Sequence, residues 1–453
     1  MTASARSNPT IRLPRRTIAT YAIGSIGTGG FSTLPGLVLV YYLTDTLGVT
    51  ALLAGILVTM AKVWDVIIDP VIGGYSDRSL AHTGSRRRFM VLGAVFLPVF
   101  FILTFAVPSG MDPLGAGFWV LIAFMLAATA FSLFQVPYIA LPAELSNNYD
   151  ERTRLLTWRV VVLTFAILLF GAGGPALRSL GGGKTPLGYL LMAIVAGVVI
   201  GLGLYLSSFI AKKGVVAATV AKSISIRENY AAGFRALKRS QPFRALLLTF
   251  LLQGLAIGIM LAGAQYVATW VLESEDAVTF LFIALIAPAL VAAPVWGVIA
   301  NRIGKERSFM WASILYGLAA LSLFGLIWAA GEWVYIPVAL AGAAFAGMQS
   351  LPMAMLPDVI SHDAVAHGDG QAGIFGGMWT AGETTGAALG ATALTIVLAI
   401  AGYTASVPGE HVVQSASAIA GIIISFSVVP AAIIGLSLIS LARYRLRKGT
   451  ISS

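Results

Sequence analysis

Apolar residues in this chain come in long blocks with short polar links between them. Twelve blocks stand out, near residues 17–43, 50–76, 89–108, 117–143, 155–177, 187–211, 245–272, 277–300, 308–330, 334–357, 373–401 and 418–442. Each reaches the about 20 residues that cross a bilayer as a helix. They are too long for barrel strands, and lipid offers a free backbone amide no partner, so helices are expected throughout. The opening stretch MTASARSNPTIRLPRR is basic and runs straight into the first block, with no short apolar core or cleavage site of a removable leader. The expected fold class is an all-α integral membrane protein of twelve transmembrane helices.

Composition agrees and narrows the field. Of 453 residues, 58% are hydrophobic and only 11% charged, against roughly a quarter charged in soluble domains. That excludes a soluble enzyme, a disordered chain and a nucleic-acid binder. Cysteine is absent, so no disulfide or thiolate metal site exists. The net charge of +10 is a topology signal. With the N-terminus placed inside, all but four of the 29 Lys and Arg residues fall in the termini or the cytoplasmic links. The exceptions are Arg178 and Lys184 outside, and Lys62 and Arg159 within spans. Both termini are therefore expected in the cytoplasm, and the bacterial inner membrane is the expected location. The longest polar link, 212–244, divides the chain into an N-terminal bundle, 1–211, and a C-terminal bundle, 245–453. Within the link, IRENYAAGFRALKR suits a helix lying on anionic lipid, or simply a solvated linker.

The halves repeat. PVIGGYSDR runs from Pro70 to Arg78, and PVWGVIANR runs from Pro294 to Arg302, 224 residues on. Pro, Val, Gly and Arg keep their offsets, and Asp77 becomes Asn301. Basic runs, GSRRR and GKER, follow both. Equivalent spans in the same orientation mean a parallel repeat about an axis along the membrane normal. Gly73 and Gly297 allow close helix approach, and with Asp77, Arg78, Asn301 and Arg302 they form a candidate cytoplasmic gate that latches one half to the other.

Charges inside spans need a reason, since each costs a few kcal/mol. In KVWDVIIDP, Asp65 and Asp69 lie four apart, on one helix face about 5–6 Å between Cβ atoms, with Lys62 one turn earlier. Two close carboxylates in low dielectric cannot both ionise cheaply. Such a pair shares a proton, binds a monovalent cation, or forms a structural ion pair with Lys62 or Arg159. Arg159 is a candidate for holding an anion or hydroxyl, or a snorkelling anchor. Glu383 is the acidic residue deep in the second half. Gln135, Tyr138, Gln253, Gln265 and Trp379 are polar candidates for a solute path, or helix–helix contacts. The histidines form no metal set, and no catalytic constellation is visible.

WDVIIDPVIGGYSDRS, followed by GSRRRF, resembles the glycoside–pentoside–hexuronide:cation symporters of the major facilitator superfamily, the family of melibiose permease. YYLTDTLGV, ERTRLLTWR and LPDVISHD support the resemblance, which extends over the whole chain. It implies two six-helix bundles related by a pseudo-two-fold axis, and cation-coupled symport of a sugar or glycoside by alternating access. Asp65 and Asp69 match the family's cation-site carboxylates, Ser132 a hydroxyl that helps bind the cation, and Arg159 the basic residue near the sugar. Several family positions differ. The sugar-binding carboxylates fall at Gly29 and Gln135, and the tryptophan after the second at Ile139. The span-11 lysine falls at Thr384, and the Arg and Glu before that span at Gly370 and Ala372. The Asn before the second cation carboxylate falls at Ile68.

These departures favour a proton over sodium as the coupling ion, and a solute other than a melibiose-like disaccharide. The expected partners are a small solute, a coupling cation (H+ or Na+) and membrane lipid. No cofactor, structural metal or nucleic acid is expected, and the chain should act as a monomer. Alternatives are an amphiphile carrier of the same fold, a membrane sensor or scaffold, and an integral membrane enzyme. The last two lack an output domain and an interfacial cluster of catalytic groups.

Overall fold

A computed structural model describes residues 12–146, 149–211, 235, 237–367, 372–409, 412–444 and 446. The side chains of Asp77, Glu383 and Thr384 are not among those described. The helices are α1 (Arg15–Asp45), α2 (Ala51–Thr83), α3 (Arg87–Phe105), α4 (Pro113–Leu145), α5 (Tyr149–Leu180) and α6 (Pro186–Ser208). The second half holds α7 (Gln241–Tyr266), α8 (Ala277–Ile303), α9 (Lys305–Ser322), α10 (Tyr335–His367), α11 (Ala372–Ile400), α12 (Ala416–Phe426) and α13 (Val428–Ala442). Among the described residues, 11 helical stretches are long and apolar enough to cross a membrane, and α11 adds a shorter apolar run, Leu389–Ile400. α12 and α13 form one crossing, broken at Ser427 (φ −123°, ψ −73°), whose hydroxyl donates to the Ile423 carbonyl at 2.6 Å. A side chain bonded back into the helix ladder is an established cause of such a break.

Local chemistry sets the ends. Asp112, Thr185 and Ser415 cap α4, α6 and α12, each accepting a backbone N–H three residues on. Pro113 and Pro186 open the first two of these helices, where a missing N–H does no harm. α2 stops at Gly84, which adopts φ +67°.

Several boundaries differ from the sequence reading. α2 runs past the expected block end at 76 to Thr83 and takes in the whole of Pro70–Arg78, with Pro70 inside the helix. α5 begins at Tyr149, so Arg159 lies about three turns in rather than one. α7 begins at Gln241, inside the stretch expected to be polar link. His362 and His367 stand on α10 rather than in a loop. Most of the expected surface helix at 226–239 lies outside the described residues.

Packing groups the helices into two sets. α1 packs on α5 and α6, and α3 on α4 and α6; α7 packs on α11 and α13, and α10 on α8 and α9. The sets meet through α2 with α11, α5 with α8, and α1 with α7. Without a hydrophobic drive between helices in lipid, close approach comes from small residues. A Cβ on Gly390 of α11 would run into the backbone of Gly258 and Ile259 on α7. Replacing Gly390 by leucine should cost about 1–3 kcal/mol of overpacking, read as a lower thermal unfolding temperature of the detergent-purified protein; an unchanged temperature contradicts the close contact.

Candidate functional site

The site is built on α2. At the end opposite the termini this helix touches α11: a Cβ on Gly55 would collide with Thr395, and the Thr59 and Thr392 hydroxyls are hydrogen-bonded. At three- and four-residue steps the same face continues through Lys62, Val66, Asp69 and Gly73. There Val66 and Asp69 are exposed, and among the described residues a Cβ on Gly73 would meet only Val136, at an ordinary contact distance. A different face carries exposed Leu52, Ile56, Met60, Val63 and Ile67 and is turned to lipid. Asp69 therefore looks into the space between the bundles.

Around the pair, Lys62 Nζ lies 3.5 Å from Asp65 Oδ2, while Asp65 Oδ1 is buried without a hydrogen-bond partner. The Ser132 hydroxyl, on α4, faces the Asp69 carboxyl. Trp64 Nε1 donates to Thr129 Oγ1 at 2.8 Å and ties α2 to α4 just above. One ammonium thus offsets two carboxylates, and an unpaired oxygen faces a place where a cation or proton could sit.

Arg159 turns elsewhere. Its guanidinium lies 5.5 Å from the Tyr138 ring centre, and its Nε is buried without a partner. It forms no ion pair with Asp65 or Asp69 in the structure. Tyr138 is fully buried, donating to the Tyr21 carbonyl at 2.8 Å and lying 3.0 Å from Ser25 Oγ, so it supports Arg159 from beneath rather than lining a path. Gln135 is half-buried with an unpartnered Oε1. Gln253 and Gln265 are buried helix contacts: the first donates to Ser313 and Ser437, the second to Thr269. Trp379 is buried and stacked on Phe250 at 4.3 Å, with an unpartnered Nε1. The side chains of Glu383 and Thr384 lie outside the described residues.

Of the expected latch residues, Arg78, Asn301 and Arg302 are exposed, and no described residue stands within 4 Å of a Cβ on Gly297; the side chain of Asp77 lies outside the described residues. Near the termini, the described charge contacts stay within a half instead. Arg86 Nε meets Glu144 Oε1 at 2.6 Å, and Lys305 Nζ meets Asp358 Oδ2 at 2.7 Å. Each acid follows a Pro-x4-Pro pair, Pro137 and Pro142 or Pro352 and Pro357.

At the opposite end the halves are bolted together. Asp45, fully buried at the end of α1, accepts from Tyr403 (2.6 and 2.7 Å), Trp270 (3.2 Å) and Ser406 (3.2 Å), all from the other half, and from Thr44 (2.6 Å). Thr44 also lies 2.7 Å from Tyr266 Oη. Arg178, expected as an external loop cation, is fully buried and reaches Glu275 at 3.6 Å. Ser179 donates to Asp276 at 2.7 Å. Among the described residues, the hydrogen bonds and ion pairs between the halves gather at this end. Sequence reading missed Asp45 because its partners Trp270, Tyr403 and Ser406 lie more than 200 residues away in the chain.

Such a two-bundle helical body, with a charged face between the halves, is that of a major facilitator. Residues 20–448 match the family described as MFS/sugar transport protein, and the chain belongs to that family. It is a multi-pass membrane transporter. It is 26% identical over 430 residues to the glucuronide carrier protein homolog of Escherichia coli (strain K12), covering 92% of this chain and 90% of that one. It is 23% identical over 439 residues to the putative glycoside/cation symporter YagG of the same organism, covering 96% and 92%. In fold it resembles the crystal structure of a D-xylose–proton symporter, with a TM-score of 0.67 at 14% identity, covering 95% of this chain and 97% of that one.

Removing Asp45 should loosen the bolted end. The chain has no cysteine of its own, so one placed at Ala268, fully buried in that seam, reports on opening. Asp45→Ala should raise its maleimide labelling rate in detergent by about tenfold or more, since a hydrogen bond to a charged group is worth about 1.5–3 kcal/mol. An unchanged rate contradicts the seam's role.

Proposed function

We propose that this transporter carries a sugar or glycoside inward together with a proton taken up by Asp65 and Asp69, and that both termini lie in the cytoplasm of a bacterial inner membrane. The observation that carries the reading is the position of the pair: two carboxylates one turn apart on the α2 face between the bundles, with Ser132 beside them and one oxygen unpartnered. The strong bias of Lys and Arg toward the termini and the links on their side supports the orientation. The bolted end then faces outward. We propose further that the chain works as a monomer.

Charge couples ion to solute. A bare carboxylate enclosed without water is strongly disfavoured. Loading the pair with a cation or proton removes that penalty, so the cytoplasmic mouth can close over an occupied site and not over an empty charged one. A ligand shifts such an equilibrium only by its differential affinity for the two states, and the solute supplies that difference by touching both halves. The names of the two relatives above support a glycoside-type solute and cation coupling. A proton is favoured over sodium because a sodium ion asks for a cage of oxygens. Ile68 brings none, and the nearby Thr129 hydroxyl is already bonded to Trp64 and the Met125 carbonyl.

The test is uptake by purified protein in proteoliposomes, with a panel of glycosides and sugar acids under an imposed proton or sodium gradient. Asp69→Asn should reach the membrane and still exchange solute, but lose accumulation driven by the gradient. Unchanged accumulation contradicts the coupling site. Uptake that follows sodium at fixed pH and ignores the proton gradient contradicts the proton. α-Galactosides should be poor solutes of the wild-type protein, and strong uptake of one contradicts the predicted departure from melibiose-like disaccharides.

A further inference from the structure

A second cavity, of about 710 Å3, lies at the terminal end on the outer wall of the first half. The turn from α2 to α3 and the end of α6 enclose it, and its lining includes Thr83, Ser85, Arg87, Arg88, Leu92 and Ala211. Two arginines therefore line one pocket, and among the described residues its lining contains no carboxylate. The neighbouring acid, Glu144, is engaged by Arg86 instead, which also donates to Ser76 at 2.9 Å. Arg87 rests 4.6 Å from the Phe209 ring centre with its Nε buried and unpartnered. Both arginines stand in the first turn of α3, where the helix dipole already presents positive charge and a cation is unfavourable. Three sources of positive potential thus converge on one space. The turn is fixed: Ser85 Oγ donates to the Ala211 carbonyl at 2.5 Å and accepts the Arg87 N–H at 3.1 Å, and Thr83 Oγ1 donates to the Ser79 carbonyl at 2.8 Å.

Below the pocket the wall is apolar. On α3, Leu92, Val95, Phe96, Val99 and Leu103 are exposed at three- and four-residue steps, while Met90, Ala94, Leu97 and Phe101 are buried on the other side. α6 packs beside α3 and adds exposed Leu202, Tyr205 and Leu206. We propose that this pocket holds the phosphodiester headgroup of an anionic phospholipid, with its acyl chains running down the apolar wall of α3 and α6. A free phosphate shares the headgroup chemistry, but it has no use for the stripe that leads away from the arginines.

The test uses the purified full-length protein in detergent, titrated separately with phosphatidylglycerol, phosphatidylcholine and inorganic phosphate, with bound species counted by native mass spectrometry. Phosphatidylglycerol should be retained in preference to phosphatidylcholine. The double variant Arg87→Gln/Arg88→Gln should weaken its retention by about tenfold or more, as each basic side chain near an anionic headgroup is worth about fivefold. Arg87→Lys/Arg88→Lys should restore most of it. Arg307→Gln, an exposed basic residue at the same end of the other half, should leave it unchanged. If the double variant fails to fold, Arg88→Gln alone, at an exposed position, should still weaken retention. Equal retention of both lipids, an equal loss in Arg307→Gln, or full retention in the arginine variants overturns the assignment. Saturation of the site by inorganic phosphate, with displacement of the lipid, assigns it to a free anion and overturns it equally.

Discussion

The constraint beneath this structure is the cost of an uncompensated charge where water has been removed. Across roughly 30 Å of hydrocarbon a polypeptide satisfies its backbone by folding into helices, and it tolerates ionisable side chains only where they face one another or a watered space. α2 shows how one helix meets both demands. Its lipid face is Leu52, Ile56, Met60, Val63 and Ile67, while the face toward the other half carries Lys62 and Asp69. The coupling proposed above depends on that separation of faces, because the same carboxylates turned toward lipid would have no water path.

Much of this was legible in the sequence. Twelve apolar blocks, their links and their basic bias define a helical membrane protein without any structure. The four-residue spacing of Asp65 and Asp69 placed both acids on one side of a helix, and the Ser132 hydroxyl faces the Asp69 carboxyl. Hydropathy blurs where polar residues continue a helix beyond the apolar block. That is why Arg78 and His362 read as link and fold as helix. It is also why Arg159 sits deeper in α5 than expected.

What stayed hidden was contact between residues far apart in the chain. Tyr138 looked like a wall of the solute path because it is polar in an apolar block, yet its hydroxyl is spent on Tyr21 and Ser25 inside the first half. Arg178 looked like an external cation because it borders a glycine-rich link, yet it is fully buried beside Tyr189, at 3.2 Å, and Glu275. Periodicity reports which side of a helix is apolar; it does not report which partner a polar group finds on another helix.

The arrangement around Asp45 bears on how such a machine turns over. Tyr403, Trp270 and Ser406 reach it across the seam, so the outer mouth cannot part without handing that carboxylate to solvent. A hydrogen bond to a charged group keeps about 1.5–3 kcal/mol over its exchange with water, so this door is held by a finite catch that binding elsewhere must overcome, and adding more such bonds by design would yield a sturdier protein that moves nothing.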